Sequence, residues 1–222
     1  MIQASDLRAR LADALDPLDS WNPAGAAAHS DFDLNPEFRP PERPALRDAA
    51  VLIPVVLRDD PTVLMTRRSD ALRSHTGQVA FPGGRLDPGE DVVQAALREA
   101  WEEVGLEASF VEPIGLSSRY ETVTGYMVTP VVALVRPGFN LAINPDEVAE
   151  AFETPFAFLM DEANHRKQFY DLNGSRRWYY EMPWEGRSIW GATAGMVRAL
   201  RGRMHGGDDG AADSGRSEAR EA

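Results

Sequence analysis

The stretch GRLDPGEDVVQAALREAWEEVGL, Gly84 to Leu106, decides how the rest of the chain is read. Its first half reads as a turn. Gly83 and Gly84 let the backbone approach a substrate or metal closely, and Pro88-Gly89 turns the chain. Its second half carries a helical pattern from about Asp91 to Val104. Glu90 and Asp91 put negative charge at the helix start, where the dipole favours it. Gly105 stands at the C-cap position, followed by Leu106 as the apolar contact. On a helical wheel Val93, Leu97, Ala100 and Val104 fall within roughly 60° of one another and predict the core-facing stripe. Glu99, Glu102 and Glu103 lie beside that stripe and share a face. Three like charges on one face are kept if the face is fully solvated or if it binds a cation. Hard carboxylate oxygens on a rigid helix suit Mg²⁺ or Mn²⁺. Arg98 sits on another flank. Glu90, about two turns earlier, is placed to pair with it and brace the loop against the helix.

Working outward, AAVLIPVVLR (49–58) reads as a buried strand and TVLMTRR (62–68) as its hairpin partner across Asp59-Asp60-Pro61. Gln78 to Phe81 is a short extended piece. Residues 113–121 and 126–136 read as strands, Val148 onward as an extended stretch closed by Pro155, and 156–161 as a helical turn or two. The aromatic run 176–184 is strand-like and 190–204 reads as a final helix. Toward the N-terminus, residues from about 4 to 16 predict an amphipathic helix capped by Asp6 with Leu7, Leu11 and Leu15 on one side. Residues 21–47 are rich in Pro, Ala and Asn and read as an irregular arm, lying over the domain or partly disordered. This divides the chain into an N-terminal helix and arm (1–44), a core domain (45–204) and a disordered acidic tail (205–222). Strands with a central and a C-terminal helix predict an α/β domain with a mixed sheet packed between helices.

The chain has 222 residues, no cysteine and a formal net charge of −12. Disulfides, thiolate metal sites and cysteine nucleophiles are excluded. The acidic balance argues against a nucleic-acid partner. No long uncharged apolar run is present, so a membrane span is not expected and the chain reads as cytoplasmic. An anionic small-molecule substrate stays compatible, because a bound divalent ion and a few arginines reverse the local sign.

Gly84, Glu90, Arg98, Glu99, Glu102, Glu103, Gly105 and Leu106 fill the fixed positions of G-x5-E-x7-R-E-U-x-E-E-x-G-U, where U is a bulky apolar residue. The stretch therefore resembles the Nudix box, with Ala100 as a smaller residue at the first U. The resemblance implies an α/β/α sandwich around a mixed sheet. It also implies metal ligation by Glu99, Glu102 and Glu103, helped by a carbonyl at the glycine turn. Arg98 would orient the carboxylates and Glu90 would pair with it. The implied reaction is water attack on the pyrophosphate of a nucleoside diphosphate linked to a second moiety.

Immediately upstream, LMTRRSDALRSHTGQVAFPGG (64–84) is similar to the second signature of the coenzyme A pyrophosphatase branch, L-L-T-x-R-S/A-x3-R-x3-G-x3-F-P-G-G. Met65 is the one mild departure. The stretches NPDEVAEAFETPFAFL and IWGATAGMV are also similar to that branch. The resemblance implies cleavage of coenzyme A or its thioesters to 3′,5′-ADP and (acyl-)4′-phosphopantetheine. Arg68 and Arg73 are the candidate phosphate contacts, with surface ion pairing as the alternative for each. His75 reads as a hydrogen-bonded structural residue, and Trp101 and Trp190 as packing residues. The base that activates water is Glu102, Glu103 or Glu147, with Glu121 and Glu150 behind them. Glu147 could equally be a further metal ligand or a strand-edge charge. The rivals are the same chemistry on ADP-ribose, NADH or a noncanonical nucleoside triphosphate, and a catalytically silent nucleotide sensor. A homodimer is compatible with all of these.

Overall fold

The computed structural model describes residues 4–41, 45–69, 77–172 and 174–206. Arg73, His75 and most of the acidic tail fall outside these residues.

In chain order the elements are α1 (Ala4–Ala14), β1 (His29–Ser30), β2 (Arg47–Val56), β3 (Thr62–Arg68), β4 (Val79–Ala80), β5 (Gly83–Arg85) and α2 (Val92–Val104). There follow β6 (Val111–Leu116), β7 (Tyr120–Glu121), β8 (Tyr126–Val135), β9 (Val148–Pro155), α3 (Phe156–Met160), β10 (Arg166–Leu172), β11 (Ser175–Trp184), β12 (Arg187–Trp190) and α4 (Ala192–His205).

The main sheet is mixed. β2 runs parallel to β8 along its whole length, from Arg47↔Tyr126 to Val56↔Val135. Its antiparallel pairing with β3 is confined to Val55↔Val63 and Val56↔Thr62. The expected 49–58/62–68 hairpin is therefore only its own closing end. β3 instead pairs along its length with β9, from Thr62↔Pro155 to Arg68↔Val148. A second sheet carries β10, β11 and β12 antiparallel.

Both faces of the main sheet are covered, and the alternation along β2 shows how. Ala49, Ile53 and Val55 pack with α1, α3 and α4, whereas Ala50, Leu52 and Val56 pack with α2. β8 divides likewise, with Val132 and Leu134 on one side and Val131, Ala133 and Val135 on the other. Burial on both faces explains why these strands read as unbroken apolar runs. The result is the expected α/β architecture with helices on both sides of a mixed sheet.

Leu7 and Leu11 of α1 are fully buried in the core shared with α4. Asp6 lies inside the first turn of α1 rather than at its cap. The stretch read as one strand over 113–121 is two, because the chain leaves β6 at Leu116 and re-enters at Tyr120. The arm lies over the domain. β1 pairs parallel with β7, His29↔Tyr120 and Ser30↔Glu121. Farther along, the Asn35 side chain accepts from the Trp178 amide at 2.6 Å and donates to the Trp178 carbonyl at 2.8 Å. That amide does for β11 what a further strand would do, and it ties the arm to the second sheet. Among the described residues no helix is long and apolar enough to cross a membrane.

Candidate active site

The site is built on the start of α2 and the short strand before it. Asp91 caps the helix, accepting from the Val93 and Gln94 amides at 2.9 and 2.8 Å, while Gln94 reaches back to the Asp91 amide at 3.0 Å. This reciprocal cap fixes where the helix begins. Gly105 ends it at φ 68°, donating to the Ala100 and Trp101 carbonyls. The three glutamates are thus carried on a helix pinned at both ends.

Gly83 and Gly84 enter β5, paired with Val51 and Ala50 of β2. A Cβ on Gly84 would overlap the Glu99 carboxylate, and one on Gly83 would overlap the Ala50 carbonyl. Glycine is required at Gly84 because the backbone of the turn and the helix carboxylate share one small space.

Arg98 uses every donor of its guanidinium. Nε and Nη2 donate to the two oxygens of Glu90 at 2.8 and 2.9 Å. Nη1 donates to Glu99 at 2.9 Å and Glu102 at 3.0 Å, and Nη2 also reaches the Arg85 carbonyl at 3.0 Å. The fork holds loop, strand and helix in one network. It keeps the Arg98 pKa well above its usual range and, acting chiefly through the Arg98 hydrogen bond, holds that of Glu90 below the carboxylate range.

Glu103 is different. It is 3% exposed, and its Oε2 is buried without a hydrogen-bond partner. Burial first, then the Glu99 charge, push its pKa up to about 8 against the pull of Arg68 and a hydrogen bond from the Gly83 amide. Burial also raises Glu99. Glu147 acts on both, adding to the upward push on Glu99 and on Glu103. The structure therefore brings Glu99, Glu103, Glu147, Arg68 and Gly83 to one place, with Glu102 at its exposed rim. The Glu147 carbonyl accepts from the Ser69 amide at 2.8 Å, which anchors the segment before β9 to the end of β3.

Among the described residues no three acidic or imidazole groups stand in ligating arrangement around one point. The donor set nevertheless fits a hard divalent cation. Arg98 takes one oxygen each from Glu99 and Glu102, and the orphaned Glu103 oxygen is a buried carboxyl donor with no partner among the described residues. Buried polar atoms without a partner are rare, and a bound cation would supply this one with a partner.

Glu150 is held by Arg187 and Arg67, and the buried Glu121 lies 3.5 Å from Arg39. Trp101 does not pack in a core or groove; it is 56% exposed. Trp190 lines a cavity of about 830 Å³ that begins at Gly83, Gly84 and Arg68 and continues between the arm, β11 and α4. The wall formed by the arm went unread in the sequence.

A family model for the NUDIX domain matches residues 46–173. Proteins from Escherichia coli O7:K1 (strain IAI39 / ExPEC) and Shigella boydii serotype 18, each described as an uncharacterized Nudix hydrolase NudL, are 45% identical to the chain over 159 residues. These matches cover 69% of this chain and 81% of theirs. The chain belongs to the Nudix family and is a Nudix hydrolase. Among solved structures it is similar to a C. elegans Ap4A hydrolase, with 22% identity and TM-score 0.44 over 49% of this chain and 80% of that one. It is also similar to a MutT protein from Methanosarcina mazei Go1, with 22% identity and TM-score 0.43 over 54% and 83%.

Proposed function

We propose that this Nudix hydrolase cleaves the pyrophosphate of coenzyme A or its thioesters, giving 3′,5′-ADP and (acyl-)4′-phosphopantetheine. The observation that carries the reading is the position of Arg68. It belongs to the segment similar to the coenzyme A pyrophosphatase signature, it acts electrostatically on Glu103 of the box, and its Nε is buried without a partner beside Gly83 and Gly84. A guanidinium whose buried Nε has no partner suits a phosphate oxygen.

Glu99, Glu102 and Glu103 would hold Mg²⁺ or Mn²⁺, which when bound neutralises phosphate charge and makes water more acidic. Arg98 keeps two of these carboxylates aimed while Glu90 keeps Arg98 aimed. The Gly83 amide fixes Glu103. Arg68 orients the pyrophosphate, and Arg73 is assigned the same task on the sequence signature alone. Water adds across the P–O–P link: its oxygen bonds to one phosphorus, the bridging bond breaks and the leaving phosphate takes the electron pair. Glu147 is assigned as the base that receives the water proton, with Glu102 and Glu103 as the alternatives.

The test is to incubate the protein with Mg²⁺ or Mn²⁺ and coenzyme A and identify products by mass spectrometry. Equimolar 3′,5′-ADP and 4′-phosphopantetheine support the reading. Intact coenzyme A alongside brisk cleavage of ADP-ribose or NADH moves the substrate assignment elsewhere. Coenzyme A binding without any hydrolysis at saturating metal supports the sensor reading instead.

A further inference from the structure

Among the described residues several arginines of this acidic protein are neutralised by carboxylates. Arg98, Arg187, Arg201 and Arg203 each lie within ion-pair distance of a carboxylate. The cavity gathers arginines that are not. Among the described residues Arg47, Arg68, Arg85, Arg177 and Arg198 all line it, and none has a carboxylate within ion-pair distance. Asp31 and Asp33 also line the cavity, so five arginines face two carboxylates there, and that local excess of positive charge in a chain of net charge −12 marks a site for a multiply charged anion.

Arg68 stands at the catalytic end. Arg198 does not; it belongs to α4, one turn beyond Gly195, which packs directly on the Tyr120 ring. Its guanidinium is stacked 3.8 Å from the centre of the Tyr180 ring, and Nη1 lies 3.4 Å from His165 Nδ1. The tautomer of His165 follows from its other nitrogen. Nε2 is 2.7 Å from the Leu159 carbonyl, which can only accept, so Nε2 carries the proton and Nδ1 presents its lone pair to Arg198. Burial also keeps that imidazole neutral by lowering its pKa. Both partners of Arg198 are therefore uncharged. They fix the direction of the guanidinium and leave its charge intact, whereas Arg201, one turn on, is paired with Glu162 at 2.9 Å. Arg177 of β11 acts on the same neighbourhood, because its charge is felt by Tyr120 and Asp31.

We propose that Arg198, together with Arg177, forms a phosphomonoester subsite that reads a phosphate remote from the pyrophosphate being cut. Taken with the proposed function, on which this identification rests, that phosphate is the 3′-phosphate of coenzyme A. Tyr126, Tyr179 and Trp190 also line the cavity and offer aromatic surface against which the base would stack.

The experiment compares coenzyme A with dephospho-coenzyme A on wild type, Arg198→Gln, Arg198→Lys and Arg177→Gln. The ratio of the two kcat/KM values is independent of the folded fraction, since both are read on the same preparation. Arg198→Gln is expected to lower that ratio roughly ten- to a hundredfold, the span of a charge-assisted phosphate contact. Its dephospho-coenzyme A rate should stay within about twofold, and Arg198→Lys should restore part of the ratio. Calorimetric binding of 3′,5′-ADP against 5′-AMP gives a readout that does not need turnover. Wild type should favour 3′,5′-ADP and Arg198→Gln should lose that preference. An unchanged ratio, equal losses on both substrates, or no wild-type preference for 3′,5′-ADP overturns the subsite. Failure to hydrolyse coenzyme A overturns the proposed substrate instead and leaves the binding comparison to judge the subsite.

Discussion

Replacing Glu103 with glutamine should stabilise the protein in chelator while abolishing its activity. Glu103 is buried, one of its oxygens has no partner, and its pKa is pushed from 4.5 to about 8. A carboxyl whose folded-state pKa is raised gives its full stability contribution below about pH 4.5 and loses it as pH rises through about 8. The gap corresponds to about 5 kcal/mol at about 1.36 kcal/mol per tenfold change in proton affinity. At pH 7 about 3 kcal/mol of that has already been lost. Glutamine keeps the shape and still accepts from the Gly83 amide, but it never ionises. Urea or thermal denaturation of wild type and Glu103→Gln, each in chelator, should coincide near pH 4.5 and diverge progressively toward pH 9, the variant melting higher by about 10 °C or more. Millimolar Mg²⁺ or Mn²⁺ should raise the melting temperature of wild type and leave the variant nearly unmoved. A variant that is no more stable than wild type at pH 9, or that gains equally from metal, would refute the view of Glu103 as a buried carboxylate awaiting a cation.

Other consequences are equally direct. Gly84→Ala drives a methyl into the Glu99 carboxylate; kcat should fall at least about a hundredfold, with a loss of about 1–3 kcal/mol in stability, and near-normal turnover would contradict the packing of the turn on the helix. Glu147→Gln should lower kcat by about two orders of magnitude, as expected for removal of a general base, with its melting temperature unchanged; a fall under about threefold moves the base to Glu102 or Glu103. His165 has its pKa lowered by burial, so it contributes stability above its ordinary value of 6.5 that is lost as pH falls through the folded value. The melting temperature of His165→Gln should therefore decline less steeply than that of wild type from pH 7 to pH 5, and parallel curves would show that His165 is not held neutral.

The central helix was legible because its determinants are local. The Gly105 terminator and the acidic face left residue-type signatures, but the Asp91 cap went unread, and the stripe was half right: Ala100 and Val104 are buried as expected, while Val92, Ala95 and Ala96 are buried in place of the only partly buried Val93 and Leu97. The partner of β2 was not legible, since a parallel pairing of Arg47–Val56 with Tyr126–Val135 leaves no mark in either segment. β10 was missed because RKQFYDL is almost wholly exposed and lacks the apolar alternation that betrays a half-buried strand. Asn35 shows the same limit on a finer scale, as nothing in a Pro-rich arm says that one amide will complete the edge of a strand at Trp178. The crowding of Glu99, Glu102 and Glu103 could be read on a wheel. The orphaned oxygen of Glu103 could not, because it depends on Gly83, Arg68 and Glu147 arriving from three other segments. The arginines of the cavity were likewise ordinary in sequence, and only their gathering around one cavity sets them apart.

The most direct test of the account is a comparison of kcat/KM at saturating Mg²⁺ or Mn²⁺ for coenzyme A, an acyl thioester, NADH, ADP-ribose and a nucleoside triphosphate, with products identified for each. The expected result is that coenzyme A or its thioester leads by at least tenfold and yields 3′,5′-ADP, and that Glu103→Gln abolishes the reaction. Preference for any of the others, or 3′,5′-ADP released undiminished by the variant, would contradict it.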